Sequence, residues 1–394
     1  MSIPPFFQTN AIYCGDCRDI LRKFPDECID MIYADPPFFS NSQYEVIWGD
    51  GYEKRAFEDR WKGGINNYLT WMEERLRECH RVLKDTGCLY LHCDYHAGHH
   101  LKVLLDGIFG NSHFENEIIW HYQLGGASKK RWARTHDTLL FYSKGDEFTY
   151  NWEEARAVRT EGALKRAQNP KGARIKADDL YKVPPDVVII QQMNPMARER
   201  LGYPTQKPEA LLDLLIKVSS NKNDLLLDPF CGCGTAIAVA HKLDRRWIGI
   251  DVSPTACDLM MKRMRSIGAS PQLVGMPMTE DDLRQLEPFE FQNWVIKRLF
   301  GRVSNKKSSD MGIDGYTYEG YPVQVKQSDN IGRNVVDNFE TALRRANKNK
   351  GFIVAFSFGK GTYEEIARAK LHEGLEIEAM AIQDLLRNRR NEKP

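Results

Sequence analysis

An acidic residue, two prolines and an aromatic residue end an apolar, β-prone run early in the chain. The run over residues 29–34 leads into Asp35, Pro36, Pro37 and Phe38. Proline cannot donate to a strand ladder, so the strand must stop here and leave the Pro36 carbonyl without a regular partner. Asp35 and that carbonyl would accept hydrogen bonds from an amine on the edge of a flat substrate, while Phe38 stacks on its face. The same residues also fit an ordinary strand-to-turn junction in which Asp35 is a cap.

A glycine-rich turn much later in the chain is the second candidate binding site. Asp228-Pro229-Phe230 ends a strand, residues 231–235 form the turn, and residues 246–251 are predicted to form the next strand. Glycines let the backbone approach a ligand closely, and Asp251 is placed to accept hydrogen bonds from a ribose diol. The third glycine of a dinucleotide-binding fingerprint is replaced by Ile237, which disfavours a nicotinamide cofactor.

The elements that must position these residues alternate between strand and helix patterns. Strand patterns cover residues 11–13, 29–34, 87–92, 117–122 and 138–142, and helix patterns cover residues 18–24, 69–83, 99–109 and 210–219. This alternation predicts a doubly wound, mostly parallel α/β sheet. Because ligands bind at the carboxyl ends of the strands in such sheets, we expect Asp35 and the glycine turn to face one another across one cleft.

Length and composition describe a globular chain with room for two domains. The 394 residues are 42% hydrophobic, and the net charge of +1 argues neither for nor against nucleic acid. No run approaches the roughly 18 apolar residues of a membrane helix, and the first residues lack the features of a signal peptide. The nine cysteines lie mostly within apolar patterns, which favours reduced thiols. We therefore expect a cytoplasmic protein without a membrane anchor.

Two further groups of residues resemble metal ligands. Cys14-x-x-Cys17 has the first half of a zinc-finger spacing, but no second close pair follows. The second group is a set of histidines, His92, His96, His99 and His100. Their positions at a strand end and on a helix favour solvated side chains over a metal site.

Three segments lack a regular period and carry aromatic or basic residues. Residues 39–64 mix aromatic and charged residues directly after Phe38, which predicts a lid that orders on substrate binding, with a decorated surface loop as the alternative. Residues 144–200 are rich in Lys and Arg, and residues 128–134 read Ser-Lys-Lys-Arg-Trp-Ala-Arg. Basic residues interleaved with aromatic residues suit phosphate neutralisation and base stacking, although a solvated charged face has the same composition.

Five pieces of the sequence occur in an order that resembles the β-class DNA amino-methyltransferases, in which the catalytic half precedes the cofactor half. The pieces are Gly15-Asp16, Asp35-Pro36-Pro37-Phe38, Asn116-Glu117-Ile118-Ile119-Trp120, Thr205-Gln206-Lys207-Pro208 and Asp228-Pro229-Phe230-x-Gly232-x-Gly234-Thr235. The resemblance covers residues from roughly 10 to 265. It implies a Rossmann-like methyltransferase sheet, S-adenosylmethionine as cofactor, double-stranded DNA as substrate and residues 144–200 as the target-recognition insertion. Members of this class often pair, so a homodimer is one implied assembly.

The resemblance also assigns roles to individual residues. The catalytic residues would be Asp35, Pro36, Pro37 and Phe38. The cofactor-binding residues would be Asp16 near the adenine of the cofactor, Lys207 and Thr235 by its methionine end, Asp251 on its ribose, and Asp228, Phe230, Gly232 and Gly234 along the turn. A base amine inside a duplex is unreachable, so the target nucleotide must be flipped out of the helix. Adenine N6 is the first choice of acceptor and cytosine N4 the second, since both present the same amine.

A second unit follows a change of composition after Arg265. Residues 271–286 are predicted to form a linker, residues 290–300 a helix, and residues 313–326 a β-hairpin around Glu319-Gly320. Further helix and strand patterns up to residue 374 complete a small α/β domain.

The hairpin carries residues that resemble the Mrr-type branch of the PD-(D/E)xK nucleases, over residues from roughly 287 to 386. Asp314 and the pair Gln324-x-Lys326 match its pattern, and Glu290 matches an acid on its first helix. The resemblance implies Asp314, Gln324 and Glu290 as ligands of Mg²⁺ and Lys326 as the catalytic lysine. The alternatives are an ordinary hairpin with exposed side chains and a DNA-gripping module that does not cut.

The sequence thus predicts a methyltransferase domain over residues 1–270, a linker over residues 271–286 and a smaller α/β restriction-endonuclease-like domain over residues 287–394. The predicted function is site-specific methylation of adenine N6 in DNA, of restriction-modification type, with a second domain that binds or cuts DNA. Cytosine N4 as acceptor, a second domain that only binds DNA, and RNA or a protein amide as substrate remain open alternatives.

Overall fold

The computed structural model describes residues 6–39, 64–122, 129–130, 132–162, 165, 180–192, 199, 205–299, 302–303, 312–317 and 319–388. The predicted lid over residues 39–64 lies outside the described residues except at its two ends. Parts of the predicted target-recognition insertion, within residues 163–179 and 193–200, lie outside them as well.

Most of the described elements before residue 275 belong to one sheet and the helices around it. The strands are β1 (Ala11–Cys14), β2 (Ile29–Ala34), β3 (Leu83–Cys93), β4 (Phe114–His121), β5 (His136–Ser143), β6 (Ala157–Val158), β7 (Tyr181–Lys182), β8 (Val187–Ile189), β9 (Leu225–Asp228), β10 (Arg246–Asp251) and β11 (Gln272–Val274). The helices are α1 (Cys17–Leu21), α2 (Ile65–Val82), α3 (Gly98–Phe109), α4 (Glu209–Ser219), α5 (Thr235–Lys242) and α6 (Pro254–Ser266).

Within the described residues, nine strands form the first sheet in the order β11-β1-β10-β9-β2-β3-β5-β4-β8. Neighbouring strands are parallel except on the two sides of β5. This confirms the predicted doubly wound, mostly parallel sheet. The chain leaves β2 through α2 to reach β3 on one side, and it leaves β9 through α5 to reach β10 on the other. The strand order therefore reverses between β2 and β9.

Apolar residues on both faces of the central strands explain why helices cover both sides of this sheet. Along β2, Ile32 and Ala34 pack with α1, α2 and α3, whereas Met31 and Tyr33 pack with α4, α5 and α6. This alternation is the period of two that a strand imposes on its side chains. The apolar stripe predicted for α2 is confirmed by its fully buried members Met72, Leu76 and Cys79.

Two short strands of the first sheet come from segments that the sequence did not predict as strands. Residues 187–189, within the predicted target-recognition insertion, form β8 and pair with β4. Residues 272–274, within the predicted linker, form the edge strand β11 and pair with β1. Elsewhere in the insertion, β6 and β7 form a separate two-stranded sheet, and the Asn151 side chain donates hydrogen bonds to carbonyls of Lys217 and Ser220.

A second, smaller sheet follows in the order β12-β13-β14-β15-β16. Its elements are α7 (Glu280–Arg284), α8 (Pro288–Arg298), β12 (Arg302–Val303), β13 (Gly315–Tyr316), β14 (Pro322–Lys326), α9 (Arg333–Arg345), β15 (Lys350–Ala355), α10 (Lys360–Glu373), β16 (Glu376–Ala381) and α11 (Ile382–Asn388). The antiparallel pair β13–β14 is the predicted hairpin, and β15 and β16 extend it in parallel. A helix long and apolar enough to span a membrane is not found in the described part of the chain.

Candidate functional sites

The turn after β2, residues 35–38, is called here the acceptor turn. It lies side by side with the glycine turn, which follows β9, at the same edge of the first sheet. β2 and β9 are parallel neighbours, with Met31 opposite Leu226 and Ile32 opposite Leu227. Their carboxyl ends therefore bring Asp35 next to the glycine turn. The predicted adjacency of the two turns is confirmed. They lie where the strand order reverses, which is the place where open α/β sheets bind ligands.

Lys207 holds the acidic residue of the first turn. Its Nζ lies 2.5 Å from Asp35 Oδ2 and 4.9 Å from the centroid of the Phe38 ring. Both partners are shielded, since the side chain of Lys207 is 10% exposed and that of Asp35 is 16% exposed. The contact holds the carboxylate of Asp35 through Oδ2. Lys207, which the resemblance assigned to the methionine end of a cofactor, thus contacts the acceptor residues directly.

The two prolines differ in what their carbonyl groups contact. The Tyr68 hydroxyl, on α2, donates a hydrogen bond to the Pro37 carbonyl over 2.8 Å. Pro36 is buried, and within the described residues no hydrogen-bond donor contacts its carbonyl oxygen. A buried carbonyl without a donor is costly in free energy. The Pro36 carbonyl therefore suits a donor that a ligand brings, as the sequence predicted.

The glycine turn depends on backbone geometry that side chains would prevent. Gly234 has a φ of +79°, and a Cβ added there would lie 2.9 Å from Met260 Cγ. The Gly232 N–H donates to Asp251 Oδ2 over 2.8 Å, and the Ser253 N–H donates to Oδ1 over 2.8 Å. These two bonds fix Asp251 at the end of β10. A carboxylate oxygen has two lone pairs and can accept more than one hydrogen bond.

Asp228 shapes this turn from inside. The residue is 3% exposed, and its Oδ1 accepts a hydrogen bond from the Phe230 N–H over 3.1 Å. Burial raises the pKa of Asp228 well above its usual range, and the nearby carboxylates of Asp35 and Asp251 add to the rise. Asp228 was predicted to contact the cofactor, but its hydrogen bond is made to the turn itself.

Thr235, predicted beside the methionine end of the cofactor, also has a hydrogen-bond partner within the protein. The residue is 6% exposed, and its Oγ1 accepts a hydrogen bond from the Arg263 guanidinium over 3.1 Å. The same guanidinium donates to the Cys233 carbonyl and to Glu209. Arg263 thereby ties the start of α5 to α6 and α4.

One face of α2, which sequence reasoning did not select, lies against both turns. Tyr68, Trp71 and Arg75 are spaced by three and four residues, so they share a helix face. The Trp71 ring lies 5.8 Å from the Phe230 ring. The Arg75 guanidinium lies 3.8 Å from the Trp71 ring centroid and pairs with Asp16. The signal in the sequence was a tyrosine, a tryptophan and an arginine at helical spacing on the helix that follows the acceptor turn.

A buried histidine connects the acceptor turn to β5. The sequence predicted a solvated position for His92, which is wrong, because β3 continues past this residue and the side chain is fully buried. His92 Nδ1 lies 2.8 Å from the Tyr33 hydroxyl, and Nε2 lies 3.3 Å from Asp137 Oδ2. The ring centroids of His92 and Phe38 are 5.6 Å apart, with planes at 33°. His92 therefore supports Phe38 from behind.

The surroundings of His92 favour its neutral form. Burial lowers the pKa of His92 below its usual value, and the positive charge of Lys207 acts in the same direction. Burial also raises the pKa of Tyr33 well above its usual value, so its hydroxyl remains a donor. The Tyr33 hydroxyl then donates to Nδ1, and Nε2–H donates to Asp137. This arrangement satisfies both nitrogens of a neutral imidazole.

Lowering the pH should reduce the free energy of unfolding through His92. The unfolded chain binds a proton at this residue below about pH 6.5 but the folded chain only at lower pH, so the free energy of unfolding falls as the pH falls through that window. We expect a His92→Gln variant to lose less of its free energy of unfolding than the wild type between about pH 7.5 and about pH 5.5, measured by urea denaturation. The exposed His100 provides the matched control, because His100→Gln should follow the wild type. If the free energy of unfolding decreased by the same amount in His92→Gln and in the wild type over this pH range, the neutral state assigned to the buried His92 would be contradicted.

The second sheet brings three of the predicted nuclease residues together. Asp314 precedes β13, and its Oδ2 accepts a hydrogen bond from the Val325 N–H of β14 over 2.7 Å. Gln324 and Lys326 flank Val325 and share one face of the strand. Gln324 is 2% exposed, and its Oε1 has no hydrogen-bond partner in the described part of the chain. Burial raises the pKa of Asp314, while the Val325 N–H and the charge of Lys326 oppose that rise.

Glu290, the fourth predicted nuclease residue, has a different neighbour. Its Oε1 accepts a hydrogen bond from the Ser253 hydroxyl, at the start of α6, over 3.1 Å. Gln292 donates from Nε2 to the Asp314 carbonyl over 2.9 Å. Side chains two residues apart leave a helix about 200° apart. The face of α8 that meets Asp314 therefore carries Gln292 and turns Glu290 toward the first sheet.

Comparisons with known proteins agree with both parts of this architecture. Residues 29–262, more than half of the chain, match the N6_N4_Mtase family, described as DNA methylase, and residues 283–387 match Mrr_cat, described as restriction endonuclease. The Type II methyltransferase M.HinfI of Haemophilus influenzae is 30% identical over 66% of this chain and 70% of its own length. The DNA adenine methyltransferase YhdJ of Escherichia coli (strain K12) is 28% identical over 65% of this chain and 83% of its own length.

This chain matches its relatives over part of their length. It spans 62% of the Type II methyltransferase M.BamHI of Bacillus amyloliquefaciens, at 29% identity. Among solved structures, M1.HpyAVI in complex with SAM has 21% identity and a TM-score of 0.42, over 64% of this chain and 98% of that one. The sequence matches, the doubly wound sheet and its paired turns define an S-adenosylmethionine-dependent DNA methyltransferase. The chain belongs to the DNA methylase family N6_N4_Mtase and carries an Mrr-type restriction endonuclease domain after it.

Proposed function

We propose that this chain transfers a methyl group from S-adenosylmethionine to N6 of an adenine flipped out of double-stranded DNA. The observation that carries the proposal is the adjacency of Asp35 and the glycine turn at the point where the strand order of the first sheet reverses. An amine held at the first turn lies beside a ligand held at the second. Phe38, backed by His92, offers a face on which the flipped base stacks.

The acceptor turn supplies what a base amine lacks as a nucleophile. The lone pair of the amine is delocalised into the base ring, which makes the nitrogen unreactive. Asp35 Oδ1 and the Pro36 carbonyl accept its two N–H groups, so that the nitrogen becomes tetrahedral and its lone pair points across the cleft. The cofactor supplies an electrophilic methyl group on a sulfonium. After transfer the nitrogen carries one proton too many, and Asp35 is the carboxylate positioned to accept it.

The second turn and its neighbours fit the cofactor that this reaction needs. The carboxylate of Asp251, fixed at the end of β10, suits the ribose hydroxyls, and the backbone between Gly232 and Gly234 allows close approach. The rings of Phe230 and Trp71, 5.8 Å apart, suit the flat adenine of the cofactor. The fit supports binding by Phe230, Gly232, Gly234 and Asp251, with Asp16 held nearby by its arginine partner on α2.

Adenine is proposed over cytosine because of the relatives and of the acidic residue that opens the acceptor turn. The relative YhdJ is by name a DNA adenine methyltransferase. Within the β-class resemblance, an acid at the position of Asp35 is typical of adenine as acceptor. Cytosine N4 presents the same amine and is the alternative acceptor.

Mass spectrometry of nucleosides tests this proposal directly. Unmethylated duplex DNA incubated with the chain and methyl-labelled S-adenosylmethionine should yield labelled N6-methyladenine. Labelled N4-methylcytosine would show that cytosine, and not adenine, is the acceptor of the same methyl transfer. Label recovered in RNA or protein, and none in DNA, would overturn the proposal.

We further propose that the second sheet cleaves DNA with Mg²⁺. The Asp314 carboxylate and the unpartnered amide oxygen of Gln324 are oxygen ligands, and Mg²⁺ is commonly held by one or two protein groups with waters and phosphate oxygens around it. Lys326, at the end of β14, would stabilise the charge that grows on the phosphate. The contact of Glu290 with Ser253 favours a ligand set without Glu290. Mg²⁺-dependent cleavage of plasmid DNA by the intact chain is the measurement that tests this proposal.

Duplex DNA as the substrate of both domains is consistent with the cytoplasmic location predicted from the sequence, and that location is part of the proposal. The homodimer implied by the resemblance stays a prediction. Measurement of the molecular mass in solution, with and without DNA, tests it.

A further inference from the structure

The tip of the β4–β5 hairpin lies at the same sheet edge as the acceptor turn. His121 at the end of β4 is opposite His136 at the start of β5, so the described residues of the connection, which include 129–130 and 132–135, lie at that edge. Cys93 at the end of β3 is opposite Thr138 of β5, and β3 is the parallel neighbour of β2. Going outward from β9, the edge presents the glycine turn, the acceptor turn, the turn after β3 and the hairpin tip.

Two aromatic side chains are exposed on this outer part of the edge. Trp132, in the hairpin tip, is 95% exposed, and Tyr95, in the turn after β3, is 50% exposed. The Arg134 guanidinium lies 3.6 Å from the Tyr95 ring centroid and donates a hydrogen bond to the Tyr95 hydroxyl. The stack forms a flat, charged platform, and Trp132 precedes Arg134 by two residues in the chain. Aromatic rings and stacked guanidinium groups both pack against nucleic-acid bases.

The charged residues of the hairpin tip are all basic, while Asp94, beside Tyr95, is paired with His96. The sequence between β4 and β5 contains Lys129, Lys130, Arg131 and Arg134 and no acidic residue. Lys129, Lys130 and Arg134 are exposed. Since the whole chain has a net charge of only +1, this is a local concentration of positive charge. A strip of this kind attracts the phosphate backbone of nucleic acid.

We propose that Tyr95, Lys129, Lys130, Trp132 and Arg134, called here the hairpin-tip surface, hold duplex DNA beside the flipped base, and that Trp132 fills the gap the base leaves in the stack. The proposal rests on the proposed transfer to a flipped base and adds the surface that holds the duplex. A flipped nucleotide leaves its neighbours unstacked, and an aromatic ring in the gap restores part of the lost stacking. The hairpin-tip surface is separate from residues 144–200, the segment predicted for target recognition.

Affinity of the intact chain for unmethylated duplex DNA tests the surface, measured by fluorescence anisotropy. Trp132→Ala should raise Kd by about tenfold, the order of effect expected for the loss of one stacking contact, and Trp132→Phe should stay near the wild type. Val103→Ala is the control, because Val103 is also an exposed apolar residue, at 71%, but lies on α3, outside the surface and outside residues 144–200. Lys129→Ala should reduce the slope of log Kd against log salt concentration by about 0.9, as expected for one lost phosphate contact.

Methyl transfer to duplex and to single-stranded DNA separates gap filling from simple attraction. A single strand has no stack to fill, so Trp132→Ala should slow transfer to the duplex and leave transfer to the single strand unchanged. The proposal would be overturned if Trp132→Ala slowed transfer to both substrates by the same factor. It would also be overturned if Trp132→Ala left the affinity for duplex DNA unchanged. A wild-type chain that binds duplex DNA through Trp132 but methylates no adenine would refute the proposed function and leave the surface standing, so the two failures are distinguishable.

Discussion

Replacing Asp35 with alanine should slow methyl transfer by about tenfold to a hundredfold while cofactor binding remains. Hydrogen bonds to a charged group contribute about 1.5–3 kcal/mol, and about 1.4 kcal/mol corresponds to a tenfold change in rate. The decrease should be larger if base flipping also fails without Asp35. Asp251 and the glycine turn are held by their own hydrogen bonds, so the cofactor half of the cleft does not depend on Asp35. Single-turnover transfer of labelled methyl groups measures the rate, and calorimetry measures cofactor affinity.

The control for this variant must separate chemistry from lost stability, because alanine at position 35 leaves the buried Lys207 without its partner. Asp30→Ala removes the partner of another lysine at the other end of β2, where Asp30 lies 2.6 Å from Lys84, a side chain that is 37% exposed. Asp30→Ala should lower the free energy of unfolding without slowing methyl transfer. Asp35→Asn keeps one acceptor oxygen and should fall between alanine and wild type. Undiminished transfer by Asp35→Ala would remove Asp35 from the mechanism.

Sites at strand ends could be predicted from sequence because local rules decide them. Proline ends β2 after Asp35 whatever the rest of the chain does. Gly234 is needed where the backbone has a positive φ. Once the strands are known to be parallel, their carboxyl ends must share an edge, which is why the meeting of the two turns followed from the pattern alone.

Contacts between distant segments could not be predicted in the same way. Lys207 and Asp35 are separated by 172 positions, and their contact depends on where α4 begins relative to the sheet. The burial of His92 depends on the length of β3, which runs from Leu83 to Cys93 rather than over residues 87–92. Partners across the sheet decide that length, and a single strand pattern does not contain them.

The rotation of a helix about its axis is a second quantity that the sequence pattern leaves open. The apolar stripe of α2 was visible, but the adjacent face with Trp71 and Arg75 acquires its role only because it packs against both turns. On α8, Glu290 matched the family pattern, whereas packing turns Gln292 toward Asp314. A rotation of about 200° separates these two assignments, and tertiary contacts decide between them.

Replacing Lys326 with alanine should reduce Mg²⁺-dependent cleavage of plasmid DNA by about a hundredfold or more and leave methyl transfer unchanged. Loss of one preorganised group that stabilises transition-state charge costs about 10²–10³ in rate. Lys326 lies in the second sheet, whereas the turns that are proposed to transfer the methyl group lie at the edge of the first. The assay follows nicking and linearisation of unmethylated plasmid without S-adenosylmethionine, so that methylation cannot alter the sites. Lys360→Ala, at a lysine whose side chain is 91% exposed, is the matched control.

Two carboxylate variants then test which acids hold the metal. Asp314→Asn should abolish cleavage, because Asp314 is the carboxylate that lies beside Gln324 and Lys326 on the hairpin. Glu290→Gln should retain cleavage, because the side chain of Glu290 contacts Ser253 at the start of α6 and an amide preserves that hydrogen bond. Loss of cleavage in Glu290→Gln with methyl transfer intact would return Glu290 to the metal site. A wild-type chain that binds plasmid but leaves it uncut would assign the second sheet to DNA binding alone, since an amide in place of a carboxylate at position 324 weakens the hold on Mg²⁺.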